Sequence, residues 1–273
     1  MVARQPSSDS AHPPSQAELR QVLAERDDEV EALREKLSRL TAVGASFLSD
    51  AAHAIRSPLT VTHSYLEILH DDLADGLNEE QRSFLDVAYE NVIKLRRLVE
   101  DLVDLAAFET GSAPIHLSHT AVNDIIETIR VDTVPVAEAR ELELTTDVAD
   151  HVPAIRIDDA RLEDVLRRLL DNALRFTPAG GSVRLTARSD ADHVLVTVED
   201  TGVGIPADRI DEALQPFVQL HRKVGENRQN YGLGLALCRR QVEAFGGTLS
   251  IESDEEQGTF VTIRIPFSPD KND

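Results

Sequence analysis

Residues 52–59 read Ala52-His53-Ala54-Ile55-Arg56-Ser57-Pro58-Leu59, and apolar positions step away from this segment by four and three in both directions. Downstream, Ile55, Leu59, Thr62, Leu66, Leu69 and Leu73 form one seam. Upstream, Leu19, Leu23, Arg26, Val30, Leu33, Leu37, Leu40, Gly44 and Phe47 form another, broken only by Arg26 and Gly44. Sustained heptads with flanking charge predict a dimeric coiled coil. Between Phe47 and Leu59 every step is four, through Ala51 and Ile55, the mark of a stutter that locally unwinds such a coil. After Asp75-Gly76-Leu77-Asn78 a third seam follows: Phe84, Ala88, Asn91, Leu95, Leu98, Leu102 and Leu105. Two long helices joined by a short turn make an antiparallel hairpin. One hairpin cannot bury both stripes, so two are expected to pair as a four-helix bundle, a homodimer through residues 17–110.

Outside this stalk the pattern changes twice. Residues 1–16 are rich in Ser, Pro and Gln without an apolar period and read as a disordered tail. Beyond Thr110-Gly111-Ser112-Ala113-Pro114 helices and strands mix. Helices are expected over Val122–Ala139, Asp158–Leu174 (capped by Asp158) and Leu233–Phe245, the last ended by Gly246-Gly247. Strands are expected over Glu141–Val148, Ser182–Arg188, His193–Glu199, Thr248–Ser253 and Thr259–Pro266. The expected fold is multidomain, α and α+β: a dimeric four-helix bundle followed by an α/β sandwich with helices on one face of a mostly antiparallel sheet. Its parts are a tail (1–16), a coiled-coil helix (17–48), a helical hairpin (49–112) and a mixed domain (113–270).

Composition narrows the chemistry. Aromatics are only 4% and Trp is absent, so Leu, Ile, Val and Ala must fill the core. A net charge of −21 argues against nucleic acid or anionic lipid as the main ligand. The single cysteine, Cys238, leaves no partner for an intramolecular disulfide and no multi-cysteine zinc site. With no membrane span and no apolar signal core in the sequence, the expected location is cytoplasmic.

Four segments carry candidate chemistry. If Ile55 lies on the buried seam, His53 sits about 200° around the helix on its outer face. A solvent-facing imidazole is substantially neutral at pH 7 and can act as a nucleophile, although an exposed helical histidine is by itself an ordinary surface residue. Pro58, one turn on, removes a hydrogen bond to the Ala54 carbonyl and calls for a reason. The second segment, Asp200-Thr201-Gly202-Val203-Gly204-Ile205-Pro206, puts a carboxylate at a strand end before two glycines. Gly202-x-Gly204-x-x-Ala207 is not a dinucleotide fingerprint, because Pro206 interrupts it and no parallel βαβ unit surrounds it. The third, Tyr231-Gly232-Leu233-Gly234-Leu235-Ala236, opens a helix with glycines, leaving N–H groups for an anion or simply starting the helix. The fourth places Asn172 on a strongly apolar helix, as a surface amide or as an oxygen donor to magnesium. No Walker A sequence is present.

In this order the segments resemble the bacterial sensor histidine kinases over about residues 46–267. Residues 52–59 look like the H box, Leu169–Thr177 like the N box, and Asp200–Pro206 like the first glycine box. Pro216-Phe217-Val218-Gln219 looks like the F box, Gly232–Leu235 like the second glycine box, and Gly258–Pro266 like the closing hairpin. The resemblance implies a protein-histidine kinase with ATP and Mg²⁺ that phosphorylates His53 and passes the phosphoryl group to an aspartate of a response regulator receiver domain. It implies that Asn172 holds Mg²⁺, that Asp200 accepts from the adenine amino group with Thr259 in support, and that Gly202 and Gly204 frame the pocket. Gly232 and Gly234 would contact the phosphates beneath a lid of about Ile205–Tyr231, and Arg175 would fill the basic position after the Asn.

The departures are Ala54 where the family usually places a carboxylate, Ser57 for Thr or Asn, Arg168 for an earlier N-box Asn, and Phe245 for a His. They motivate an alternative class, a catalytically degenerate scaffold or phosphotransfer protein. A Ser/Thr kinase of the same ATPase superfamily is disfavoured by the complete hairpin. With no sensor domain visible, the signal is expected through the coiled coil or from a separate sensory protein. Inserting one residue near Gly44 shifts the seam and should change autokinase activity; a series of such insertions with unaltered rates would count against transmission through the stutter.

Overall fold

Asn78 begins the second hairpin helix by a reciprocal cap: its side chain accepts the Gln81 N–H at 2.8 Å and its own N–H donates to the Gln81 side chain at 3.1 Å. The computed structural model describes residues 44, 46, 50–52, 54–71, 76–220 and 231–267. The expected tail and nearly all of the expected coiled coil lie outside them, as does His53. The first hairpin helix, α1, is described over 50–52 and 54–71 and runs unbroken through Pro58. Helix α2 spans Glu79–Glu109.

The inner seam of the hairpin differs from expectation by one side of the helix. Ala52 is buried, and Arg56, Leu59, His63, Leu66 and His70 are partly covered, while Ile55 and Leu69 of the expected seam stand 50% and 39% exposed. Tyr89 of α2 lies between His63 and His70, with ring centroids at 5.5 and 4.9 Å, which explains two histidines on an inward stripe. On α2, Leu85 and Val99 are buried, whereas Phe84 and Leu95 stand 66% and 44% exposed. The apolar pattern is wider than one partner helix can cover, so a single chain leaves Ile55, Leu69, Phe84 and Leu95 facing out.

The mixed domain follows as β1 (Ser118–Thr120), α3 (Val122–Glu138), β2 (Glu143–Val148), β3 (Ile155–Ile157), α4 (Asp159–Phe176), β4 (Ser182–Ser189), β5 (His193–Asp200), α5 (Ile210–Ala213), α6 (Gly234–Ala244), β6 (Thr248–Asp254) and β7 (Gly258–Pro266). The five-stranded sheet runs β2-β4-β5-β7-β6; β2 and β4 pair parallel and the other neighbours antiparallel. A separate two-stranded pair, β1 with β3, was absent from the sequence reading. Strands β4, β5 and β7 alternate, sending Val183, Leu185, Val194, Val196, Val198, Val261, Ile263 and Ile265 into one core with α3, α4 and α6. Helix α4 contributes Leu162, Val165, Leu166, Leu169, Leu170, Ala173 and Leu174 to that core and is capped by Asp158, whose side chain accepts the Arg161 N–H.

Helix α2 also packs on this domain. Leu105 of α2 is buried with Leu233 and Leu237, flanked by Leu98, Leu102 and Phe108. Around that patch, three arginines of α4 and α6 meet three carboxylates of α2: Arg161 with Asp104 at 2.7 Å, Arg168 with Asp101 at 2.8 Å, and Arg240 with Glu109 at 2.7 Å. Among the described residues no helix is long and apolar enough to cross a membrane.

Leu166 is 0% exposed at the centre of the α4 face. Leu166→Ala should therefore destabilise the domain by about 2–5 kcal/mol, read as a lower midpoint in urea unfolding; a midpoint equal to that of the parent chain would place Leu166 outside the cooperative core.

Candidate active site

Asp200 occupies the fourth inward position of β5, after Val194, Val196 and Val198, and is 8% exposed. A carboxylate in a row of valines must find donors. Its Oδ1 accepts the Gly202 N–H at 2.8 Å, and the Thr259 backbone N–H also donates to the carboxylate. Burial outweighs these two bonds, with a smaller push from Glu199, and raises the Asp200 pKa to about 6.

The turn after Asp200 folds tightly against its neighbours. A Cβ on Gly202 would lie 2.6 Å from the Phe176 carbonyl oxygen and 2.7 Å from Asp200 Oδ1, so only glycine lets the turn pack this closely against the end of α4. Gly204 has φ +67°, and a Cβ there would run into the Asp254 carbonyl oxygen. Val203 donates to the Phe176 carbonyl at 3.2 Å, tying the glycine turn to the end of α4, and accepts the Glu256 N–H at 2.9 Å from the β6–β7 turn. Ser253 of β6 adds a third stitch, its Oγ accepting the Ile205 N–H at 2.7 Å.

Asn172 and Gly234 come together across the α4–α6 packing. The Asn172 Nδ2 lies 3.9 Å from where a Gly234 Cβ would stand. Arg175, one turn along α4 from Asn172, stacks its guanidinium over Phe176 at 5.4 Å. The Gly232 carbonyl accepts the Phe217 N–H at 2.8 Å, so the segment around Pro216 and Phe217 is joined to the second pair of glycines. Of the expected lid, residues 221–230 lie outside the described residues.

Asp200, Gly202, Gly204 and Thr259 thus form one cluster, Asn172 meets Gly234 in a second place, Gly232 lies against Phe217 and Val218, and the Phe176 carbonyl ties the first cluster to the helix that carries Asn172. The first offers a carboxylate acceptor beside a tight glycine turn, suited to an amino-bearing ring. The second offers an amide and glycine N–H groups at a helix start, suited to phosphates and an oxygen-liganded cation. Among the described residues no cluster of three or more His, Cys, Asp or Glu side chains can hold a metal alone. A cation at Asn172 therefore needs ligands from phosphate and water, which is how Mg²⁺ ordinarily binds a nucleotide.

Arg168 departs from the expected amide one turn before Asn172, and the structure shows its use. It donates to Asp164 and Asp101, each at 2.8 Å, while Gln241 donates to the same Asp164 oxygen at 2.9 Å. The ion pairs hold the guanidinium charged despite burial, and burial moves Asp101 above its ordinary range despite the arginine. Reading the sequence missed the arginine–carboxylate links and Ser253. The spacing of Asp101, Asp104 and Glu109 on one helix and Arg161 and Arg168 on another was the available signal for the former.

The family model of histidine kinase-, DNA gyrase B- and HSP90-like ATPases matches residues 157–269, and that of the His kinase A (phospho-acceptor) domain matches residues 45–111. The chain belongs to the bacterial sensor histidine kinases. It is 30% identical to the alginate biosynthesis sensor protein KinB of Pseudomonas aeruginosa, over 82% of this chain and 37% of that protein. It is also 30% identical to the adaptive-response sensory kinase SasA of Synechococcus sp. (strain JA-2-3B'a(2-13)), over 94% of this chain and 68% of that protein. Among solved structures, full-length ShkA in complex with AMPPNP aligns with TM-score 0.70 and 27% identity, over 82% of this chain and 46% of that one.

The raised pKa sets a pH dependence. Below pH about 6 the Asp200 carboxyl is protonated before any ligand arrives and accepts poorly; above it the carboxylate is free to accept. Affinity for adenosine, which has no phosphate to titrate, should climb up to about tenfold per pH unit below the pKa and level off above pH about 7. Calorimetric titration from pH 5 to 8 checks this, and a flat profile would show that Asp200 does not meet the base.

Proposed function

We propose that the chain is an ATP-dependent protein-histidine kinase (EC 2.7.13.3) that phosphorylates His53 and transfers the phosphoryl group to an aspartate of a response regulator receiver domain. The observation that carries this reading is the joining of two clusters through one helix end. Asp200 accepts from Gly202 of the glycine turn, Val203 of that turn donates to the Phe176 carbonyl, and the same helix brings Asn172 against Gly234. A base-binding recess and a phosphate-binding helix start, held in fixed relation, are what a nucleotide requires. The AMPPNP in the related ShkA structure supports the same assignment.

In this reading Asp200 accepts from the adenine amino group with Thr259 in support, and Gly202 and Gly204 frame the pocket. Asn172 holds Mg²⁺, Arg175 adds positive charge near the phosphates, and Gly232 and Gly234 present backbone N–H groups to them. When bound, Mg²⁺ supplies charge neutralisation on the transferring phosphoryl group. A neutral imidazole nitrogen of His53 gives its electron pair to the γ-phosphorus, the bond to the β–γ bridging oxygen breaks, and ADP leaves with that bond's electrons. We assign 17–48 to a coiled-coil signalling helix, 49–112 to the phosphotransfer hairpin and 113–270 to the nucleotide-binding domain. The outward apolar positions Ile55, Leu69, Phe84 and Leu95 support pairing of two hairpins in a homodimer.

Incubation with Mg²⁺ and γ-labelled ATP should give protein phosphate that is acid-labile and base-stable, and His53→Gln should reduce it to background. Label that survives this substitution would overturn the assignment of His53. Tight ATP binding without any label would instead favour a phosphotransfer scaffold.

A further inference from the structure

Arg97, Asp101 and Asp104 stand at intervals of four and three along α2 and so share one face of it. On α4, Arg161, Arg168 and Asn172 stand at intervals of seven and four and share a face as well. The two faces meet through ion pairs, Asp104 with Arg161 at 2.7 Å and Asp101 with Arg168 at 2.8 Å. Partner numbers fall along α2 as they rise along α4, so the helices pass each other in opposite senses. The next rung sets Arg97 beside residues 171 and 172. The charges agree with that placement. Partial loss of water around Asp171 raises its carboxyl above the ordinary range, and among the guanidinium charges that pull it back Arg97 leads Arg140, Arg167 and Arg168.

Two further contacts put α2 at the same end of the site. Leu233, between Gly232 and Gly234, is buried against Leu105 of α2. Asn172 meets Gly234, where α6 starts without a side-chain cap and leaves its first N–H groups open. The arginines of this junction are not equally committed. Arg161 donates to Asp104, and Arg168 to both Asp101 and Asp164. Arg97 is exposed and, among the described residues, makes no ion pair or side-chain hydrogen bond; Asp171 attracts it without coming into contact. Four carboxylates, Asp101, Asp104, Asp164 and Asp171, therefore gather here around two engaged guanidiniums and one disengaged. A polyanion entering beside Asn172 meets net repulsion unless the disengaged cation turns to it.

On the nucleotide reading of the site, on which this step rests, we infer that Arg97 of the hairpin is a phosphate ligand: its guanidinium leaves the field of Asp171 and donates to the terminal phosphates of a nucleotide held at Asn172 and Gly234. A guanidinium presents its N–H groups as a fork that matches two phosphate oxygens, and such charge-assisted bonds are among the strong ones. The hairpin is then part of the nucleotide site. The phosphates are gripped fully only while the domain sits on α2 in the register of the two ion pairs, so triphosphate binding and that docking strengthen each other. Adenosine, which brings no phosphate, is indifferent to Arg97.

Calorimetric titration of the full chain with AMPPNP and Mg²⁺, and separately with adenosine, tests the inference. Arg97→Ala should weaken AMPPNP binding by about tenfold and leave adenosine affinity where it was. Arg97→Lys keeps the charge without the fork and should recover part of the loss. In an Asp171→Asn background the Arg97→Ala loss should persist, because the phosphates and not Asp171 are what the guanidinium serves. Unchanged AMPPNP affinity in Arg97→Ala would overturn the inference and leave the nucleotide reading standing. Equal losses for AMPPNP and adenosine would make Arg97 a structural prop and overturn it. A loss that vanishes in the Asp171→Asn background would overturn it too, by showing that Arg97 acts only as a partner of Asp171. A folded parent chain, verified by circular dichroism, that binds neither compound would instead overturn the nucleotide reading and this inference with it.

Discussion

A carboxylate placed where a valine would otherwise go is the constraint on which the domain is organised. Asp200 continues the inward row of Val194, Val196 and Val198, and its burial carries an electrostatic cost that two backbone N–H groups only partly offset. The surroundings are shaped to keep that group buried yet approachable. Gly202 lets the chain pass within contact of the Phe176 carbonyl, and the β6–β7 turn closes over the far side through Glu256 and Ser253. Strand register is therefore functional as well as structural. Slipping β5 by one residue would bury Glu199 and expose Asp200, and the same slip would turn three valines out of the core. Hydrophobic alternation and the position of the acidic acceptor cannot be changed independently.

Helix α4 carries the second half of the design. Its apolar face packs on the sheet, its C-terminal end joins the glycine turn through Phe176, and Asn172 meets Gly234. Arg161 and Arg168, seven residues apart on the same helix, reach carboxylates on α2. One rigid element thus links the hairpin to both clusters of the site. Ion pairs that are partly withdrawn from water contribute little net stability relative to an apolar contact, but they penalise misalignment strongly when one partner is removed. Here they flank the Leu105, Leu233 and Leu237 patch, so the apolar patch supplies attraction and the arginines define which turn of α2 it meets.

Much of this was legible in the residues, and the failures have physical causes. The elements of the mixed domain were readable because α4 and strands β4 to β7 have clean periods, and their observed ends differ from expectation by only a residue or two. Strands β1 and β3 were missed because three residues are too few to establish alternation, and each is defined only by pairing with the other. The hairpin seam was displaced because its apolar stripe is broader than the intrachain contact. Tyr89 allows His63 and His70 to act as inward residues that a hydrophobic count passes over. Asp200, Asn172 and the glycines were visible as residue types out of place in their elements. Ser253 was not, because a serine in an alternating strand is unremarkable until the register puts it beside Thr259 and its hydrogen bonds can be counted.

Arg168 shows how a departure from a family pattern should be weighed. In the sequence it reads as the loss of an amide one turn from Asn172, and a lost polar group near a phosphate site suggests decay. In the fold the guanidinium is held between Asp101 and Asp164, and Gln241 shares the same Asp164 oxygen. A charge engaged on that many sides in a partly buried place is sustained by groups on α2, α4 and α6 at once, and decay of a site does not assemble three helices around a new cation. Position 168 thus belongs to the junction with α2, while Asn172 still meets Gly234 and Asp200 still holds its glycine turn.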